Sequence, residues 1–302
     1  MMCAATSSSK SAAPTGLTWT SPPGSALPRA EGCVEIRFGR RGGKTVLLDL
    51  YQAGSAKARF PKVFGGGALE AVLINLAGGV TGADCFRQRV HFAEGAKAVV
   101  TTQAAEKIYK ASRNDPPARI ENRLTVEAGV FAEWLPQETI FFDGGRLERS
   151  LHVQLDQGAK FLASEALVFG RTAMGEAVRS GFLRDNWRVH IGGHIAFADG
   201  FCLDGAIQDR LDRKAIADGG RAVATVLYAG DDAAAYLEPA RAALADCREK
   251  GGRAAVSCLG SVLHARFIAA DGALLRATLI PYIETIRAAA GSIGVLPKLW
   301  RC

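Results

Sequence analysis

The sequence predicts a mainly β protein, its strands stacked in a β-helix-like or sandwich-like arrangement and followed by two C-terminal α-helices. Three observations carry that reading. The 34 glycines mark many tight turns between short strands. A run of alternating apolar residues, a glycine-centred turn and a second alternating run occur together three times, over residues 89–100, 123–134 and 151–162. After residue 231 the apolar period changes to the three-to-four spacing of an amphipathic helix. With 48% apolar and 22% charged residues, the 302-residue chain has the composition of an ordered globular protein and can build a sizeable core.

Residues 1–30 carry Pro14, Pro22, Pro23 and Pro28 among Ser, Thr, Gly and Ala, a composition that buries too little to order itself and predicts a flexible tail. The remainder, 31–302, is read as a single β-rich domain. It opens with a hairpin: Val34 to Phe38 and Thr45 to Tyr51 flank Arg40-Arg41-Gly42-Gly43, with Arg37, Arg40 and Arg41 facing solvent. The three repeats follow, their turn glycines at 95, 129 and 158, where φ above zero costs glycine nothing. Stacking one such coil on the next buries one face of every strand. A fourth, degenerate copy is placed over Trp187 to Asp204.

In the last third, Asp231 to Lys250 reads as a helix, with Ala235, Leu237, Ala240 and Leu244 at helical spacing, acids at its start and Arg248 and Lys250 at its end to complement the dipole. Ala254 to Ile268 returns to strand alternation. Ala273 to Ala290 predicts a second helix, bent or interrupted at Pro281, before the apolar segment Leu296 to Trp300.

Most familiar chemistries find no support. Gly65-Gly66-Gly67 and Gly78-Gly79 lack the Lys-Ser/Thr of a phosphate loop and read as turns. No serine sits in a nucleophile elbow, and no cysteine carries a nucleophile's local signature. The seven cysteines are odd in number, form no C-x-x-C pair and follow no secretory segment, so they read as reduced thiols of a cytoplasmic protein. No apolar run approaches the ~18 residues of a membrane span. The net charge of +7 is spread along the chain without a Lys/Arg block, which argues against nucleic acid and membrane as partners. His190 and His194 are metal-ligand candidates, but two imidazoles fall short of the three or four ligands zinc takes.

The densest polar signal is Glu133-Trp134-Leu135-Pro136-Gln137-Glu138-Thr139-Ile140-Phe141-Phe142-Asp143-Gly144-Gly145. Three carboxylates flank a short apolar strand, Thr139 to Phe142, that ends at a Gly-Gly turn. Read as a surface feature, its charges stand in water, as acidic residues mostly do. Read as chemistry, Glu133 and Glu138 supply the carboxylate pair of a carbohydrate-active enzyme on a stacked β fold.

Four segments together resemble the UreD/UreH family of urease accessory proteins, over about Gly32 to Trp300. Residues 75–84, NLAGGVTGAD, are similar to the family's Asn-Pro-Pro-Gly-Gly-x-x-Gly-Gly-Asp, without the prolines and with Ala83 for a glycine. Residues 101–112, TTQAAEKIYKAS, resemble its Thr-Thr-x-Ala-Ala-x-Lys-x-Tyr-Arg-Ser stretch. The block from Glu133 resembles its Glu-Trp-Leu-Pro-Gln-Glu, and 170–176, GRTAMGE, its Gly-Arg-x-Ala-x-Gly-Glu. The resemblance implies a non-enzymatic maturation factor on a β-helix-like fold with two helices. It would bind urease apoprotein and, with UreF and the GTPase UreG, assist delivery of nickel, without a tightly bound cofactor of its own. Asp84, Glu106, Glu133, Glu138, Asp143 and Glu176 are then candidates for a weakly liganding nickel path. Tyr282, Ile286, Leu296 and Trp300 are candidates for docking UreF, on the premise that they are exposed.

Overall fold

A computed structural model describes residues 29–62, 67–112, 114–171, 174–292 and 294–301. The predicted tail up to residue 28 and the glycines 65 and 66 lie outside the described residues. Strands β1 (Glu31–Arg41) and β2 (Lys44–Gly54) form the expected hairpin, closed by Gly42 and Gly43 with φ of +56° and +78°. Positive φ at both central residues defines the hairpin turn whose twist matches the flanking strands. Next come β3 (Ala56–Arg59) and β4 (Leu69–Asn75), and then the repeats.

Each predicted coil is real and places one strand in each of two sheets. The pairs are β5 (Cys85–Phe92) with β6 (Lys97–Thr102), β8 (Ala118–Val126) with β9 (Phe131–Trp134), and β11 (Arg146–Leu155) with β12 (Lys160–Phe169). Between coils run two short strands, β7 (Glu106–Ile108) and β10 (Thr139–Phe141). All three coil turns have one construction: Ala96, Val130 and Ala159 donate their backbone N–H to Ala93, Glu127 and Asp156, three residues back. Gly95, Gly129 and Gly158 occupy the third position with φ of +73°, +71° and +75°, the geometry that demands glycine there.

Parallel pairing then aligns equivalent positions of successive coils. Phe38, Phe92, Val126, Leu155 and Ile191 stand side by side across the first sheet. All but the half-buried Ile191 are buried, and each fully buried side chain of this size contributes roughly 1.5–3 kcal/mol.

The fourth copy departs from the expectation. β13 (Ser180–Ile191) adds to the stack in parallel with β11, but β14 (His194–Ala206) folds back antiparallel in the same sheet. Gly192 and Gly193, at φ +56° and +83°, make a two-residue hairpin where the earlier coils make a four-residue crossing turn. The first sheet therefore runs β14-β13-β11-β8-β5-β1-β2, with a Gly-Gly hairpin at each end of its parallel centre.

After the short α1 (Ile207–Leu211), β15 (Ala222–Ala229) pairs with β12. A 3-10 turn (Ala233–Tyr236) leads into α2 (Leu237–Glu249), then β16 (Arg253–Leu259), β17 (Val262–Ala269) and α3 (Gly272–Ala289). The second sheet runs β16-β17-β15-β12-β9-β6-β4-β3, with β10 paired to β12 and β7 paired to β10 off that path. The first predicted helix starts later than residue 231 because Asp232 turns its carboxylate to Lys160, Tyr228 and Tyr236 instead of capping. Helix α3 is capped by Asp271, which accepts from the Leu274 N–H at 2.8 Å. It continues through Pro281 rather than breaking there. The Ala277 carbonyl, which the missing proline N–H leaves without its helical donor, has the Lys250 Nζ at 3.5 Å.

Three layers result, with two cores. One fills the space between the sheets; the other lies between the second sheet and the helices, where Leu162, Val226, Tyr228 and Phe267 meet Leu279 and Ile283. This second core corrects the docking expectation. Tyr282, Ile286, Leu296 and Trp300 are 1%, 0%, 0% and 2% exposed. Their apolar surface is covered by the chain's own second sheet, so the exposure on which their candidacy rested is absent.

Candidate functional site

Strand parity decides which residues of the Glu133 block meet which layer. Trp134 points between the sheets and donates its indole N–H to Glu165 at 3.0 Å. Its neighbour Glu133 points to the helices. There Arg287 binds it through Nε at 2.5 Å and Nη2 at 3.2 Å, and the Ser292 hydroxyl donates at 2.5 Å. The Leu135 carbonyl accepts from the Trp300 indole at 2.9 Å. Gln137 and Glu138 accept from Arg276, whose guanidinium also lies over the Trp300 ring. Thr139 accepts from Arg149. The block is the seam at which both cores and the C-terminal segment are fastened, and its Glu133 is buried and paired rather than solvated.

The other path candidates separate in the same way. Asp84 is 4% exposed and spends its carboxylate on the backbone N–H groups of Ala30 and Thr81, each at 2.8 Å, pinning the start of β1 to the loop after β4. Asp143 accepts from the Ser180 N–H at 2.9 Å. Glu176 closes its own loop on Arg171, whose guanidinium lies 5.0 Å from the Phe142 ring centre. Glu133 and Glu138 each have their own arginine on α3, so neither is the free carboxylate that glycosidic acid-base work needs.

Glu106 is different. It lines a cavity of about 190 Å³ that opens between the sheets beside Asn75, Gln88, Thr102, Gln103 and Lys107. Burial pushes its carboxyl pKa up, against hydrogen bonds from the Asn75 amide and the Lys107 N–H and with a further push from the Asp84 charge. The Asn75 amide turns its N–H to the Glu106 carboxyl, and Lys57, Lys107 and apolar side chains such as Val34, Leu73 and Phe86 share the lining. Among the described residues this half-buried carboxyl is therefore the one hard anionic donor the cavity offers a divalent cation, a weak hold. Of the six path candidates the structure brings Asp84 and Glu106 within electrostatic reach of one another and sends Glu133 to the helical layer.

Further along the same interior lies a cluster that sequence reading missed. Arg149, on the inward face of β11, binds Asp185 of β13 through two N–H groups at 3.1 and 2.6 Å and stands 3.2 Å from Glu165 of β12. The two carboxylates hold the guanidinium more firmly protonated than its burial alone would allow. Burial raises the Glu165 pKa against the opposing pull of Arg149. Asp199 and Arg266 pair beside them at the same cavity. The available signal was a charged residue at an apolar register position: Leu147, Arg149, Leu151, Val153 and Leu155 share one strand face. One cation between two sheets bridges them, but nothing in the alternation names its partners 16 and 36 residues away.

His190 and His194 stand on either side of the Gly192-Gly193 hairpin, and His190 faces Gln154. Among the described residues no group of three or more His, Cys, Asp or Glu side chains is placed to hold a metal ion. Among them, too, no helix is long and apolar enough to cross a membrane.

Coils with glycine-pinned turns, two sheets and a helical cover define a class, the helix-backed β-coil protein. The family model for the UreD urease accessory protein matches residues 30–301. A urease accessory protein UreD 1 of Methylobacterium radiotolerans is 41% identical over 278 residues, 91% of this chain and 93% of its own length. Urease accessory proteins UreD of Azorhizobium caulinodans and Rhizobium etli are 42% and 43% identical over 272 residues each, 90% of this chain and 96% and 95% of theirs. The chain belongs to the UreD urease accessory protein family.

Proposed function

We propose that this chain is a non-enzymatic scaffold of urease maturation, acting in the cytoplasm. It binds urease apoprotein together with UreF and UreG and assists the entry of nickel, which is cargo and not a resident cofactor. The observation that carries the reading is the family match over residues 30–301, the whole length of the two-sheet fold. The cavity at Glu106 supports the nickel part, since it sets one carboxylate at an opening between the sheets. Nickel is held there by Glu106 with the amides of Asn75 and Gln88 as neighbours, and passes on because a single carboxylate retains a divalent ion weakly.

The test is co-expression of the chain with UreF, UreG and the urease subunits, scoring pull-down, nickel content and urease activity against cells that lack the chain. A recovered complex and nickel-loaded urease only in the presence of the chain are the expected results. Full nickel loading without it overturns the reading.

A further inference from the structure

The coil architecture forces cations into register on the face of the first sheet that looks away from the second. Parallel pairing sets Arg89 opposite Arg123, Arg123 opposite His152 and His152 opposite Arg188, neighbours at the strand spacing of about 4.8 Å. Like charges directly opposite one another destabilise a sheet. Their field is felt at His152, whose pKa is lowered by burial and then by Arg123 and Arg188.

One row away Arg37 stands opposite His91. A shallow depression of about 350 Å³ opens at this corner, where Arg37, Arg89 and Arg123 face Glu35 and Asp49. Arg89 and Arg123 are more than half exposed. Arg89 donates to the comparably accessible Glu35 at 2.6 Å, so a partner carboxylate there competes with a solvent-exposed pair, whereas Arg123 reaches its nearest acid, Glu121, only at 3.7 Å. No lysine occurs in β1, β5, β8, β11 or β13. The planar guanidinium fork is the form of cation that pairs two-pronged with carboxylates.

We propose that this face, centred on the depression between Arg37, Arg89 and Arg123, docks an acidic face of a protein partner. Carboxylates of the partner enter the depression, and the ladder toward Arg188 extends the contact. The interspersed Glu35, Asp49, Glu121 and Glu148 favour a protein of mixed charge over nucleic acid, whose phosphates repeat every ~1.7 Å along the duplex without a break.

The proposal rests on the maturation reading in one respect, that urease apoprotein is the probe. The full chain, purified with UreF, is titrated with apoprotein as ionic strength is raised, for the unchanged chain, for Arg89→Glu/Arg123→Glu and for the milder Arg89→Gln/Arg123→Gln. A control, Arg248→Glu, alters an exposed cation on α2 in the opposite layer. Parallel arms replace apoprotein with a single-stranded oligonucleotide or phosphatidylserine vesicles.

Expected are affinity that falls with salt, a loss of about tenfold or more in the Glu variant with a smaller loss in the Gln variant, and no change in the control. Apoprotein binding that is equal in all variants overturns the docking face and leaves the maturation reading standing. So does a loss confined to the oligonucleotide or vesicle arms. No apoprotein binding by the unchanged chain at any salt overturns both.

Discussion

Arg287 of α3 and Glu133 of β9, 154 residues apart, form a two-pronged ion pair in which both side chains are no more than 4% exposed. The Ser292 hydroxyl supplies a third donor, so the carboxylate is compensated where water cannot reach it. Removing one partner of such a pair leaves an uncompensated buried charge and costs about 3–5 kcal/mol. Arg287→Met alone therefore destabilises by that order, measured by urea unfolding. Glu133→Gln/Arg287→Met recovers much of the loss. A Glu133→Gln chain of unchanged stability that fails to support nickel loading would instead return Glu133 to the metal path.

Ala83 sits at φ +69°, in the left-handed region, where the resembled family pattern has glycine. Its N–H still donates to the Pro116 carbonyl at 2.9 Å, so the turn is kept at the expense of strain. A non-glycine residue there costs about 1–2 kcal/mol, of which glycine's greater freedom in the unfolded chain returns ~0.4–1. Ala83→Gly should raise stability by about 0.5–1 kcal/mol, read as a higher thermal midpoint. The adjacent Gly82→Ala should lower it, because a Cβ there would meet Asp115 Cβ at 2.7 Å and Ala111 Cβ at 2.9 Å.

The coils were legible because two local signals coincide in each: period-two alternation and a glycine where φ must be positive. The fourth copy misled because Gly192-Gly193 shares the glycine but not the four-residue spacing that carries the chain across to the other sheet. Alternation also names a strand's two faces without saying what covers them. In a three-layer protein both faces of the second sheet are buried, so Glu133 could not be assigned to the helical side, nor Trp300 to the core, before α3 was placed. Pairings such as Arg149 with Asp185 depend on register between strands, which no single stretch of sequence records.

Asp232 ties the end of β15 to the coil stack, accepting from Lys160, Tyr228 and Tyr236 at 2.5 Å each. Burial alone would raise its pKa, but these three donors hold it down at about 2. Because the folded value lies below the unfolded one of about 3.9, the group's contribution is complete above pH ~4 and is lost as pH falls toward 2. Asp232→Asn should thus be less stable than the unchanged chain at neutral pH. The difference should shrink as pH drops below about 4 in denaturant titrations. A constant difference across that range would remove the carboxylate's charge from the explanation.

Glu106 has the opposite sign. Its folded pKa is raised by burial, so the folded chain takes up a proton that the unfolded chain has released, and stability declines as pH rises from the ordinary carboxyl range, near 4.3, toward the raised value. Glu106→Gln removes that decline and keeps an oxygen for the Asn75 amide, which lies 3.2 and 3.3 Å from the two carboxylate oxygens. The variant should be as stable as the unchanged chain or more so at neutral pH, with a flatter pH profile. If the carboxylate passes nickel, the same variant lowers the nickel content of co-expressed urease while pull-down of the complex is preserved. Asn75→Leu, which withdraws the partner that orients the carboxylate, lowers it too, by about tenfold in metal affinity if Asn75 acts as an outer-shell ligand does. Normal nickel content in both variants would exclude the cavity as a route, whereas loss of the complex itself would make Glu106 a folding residue.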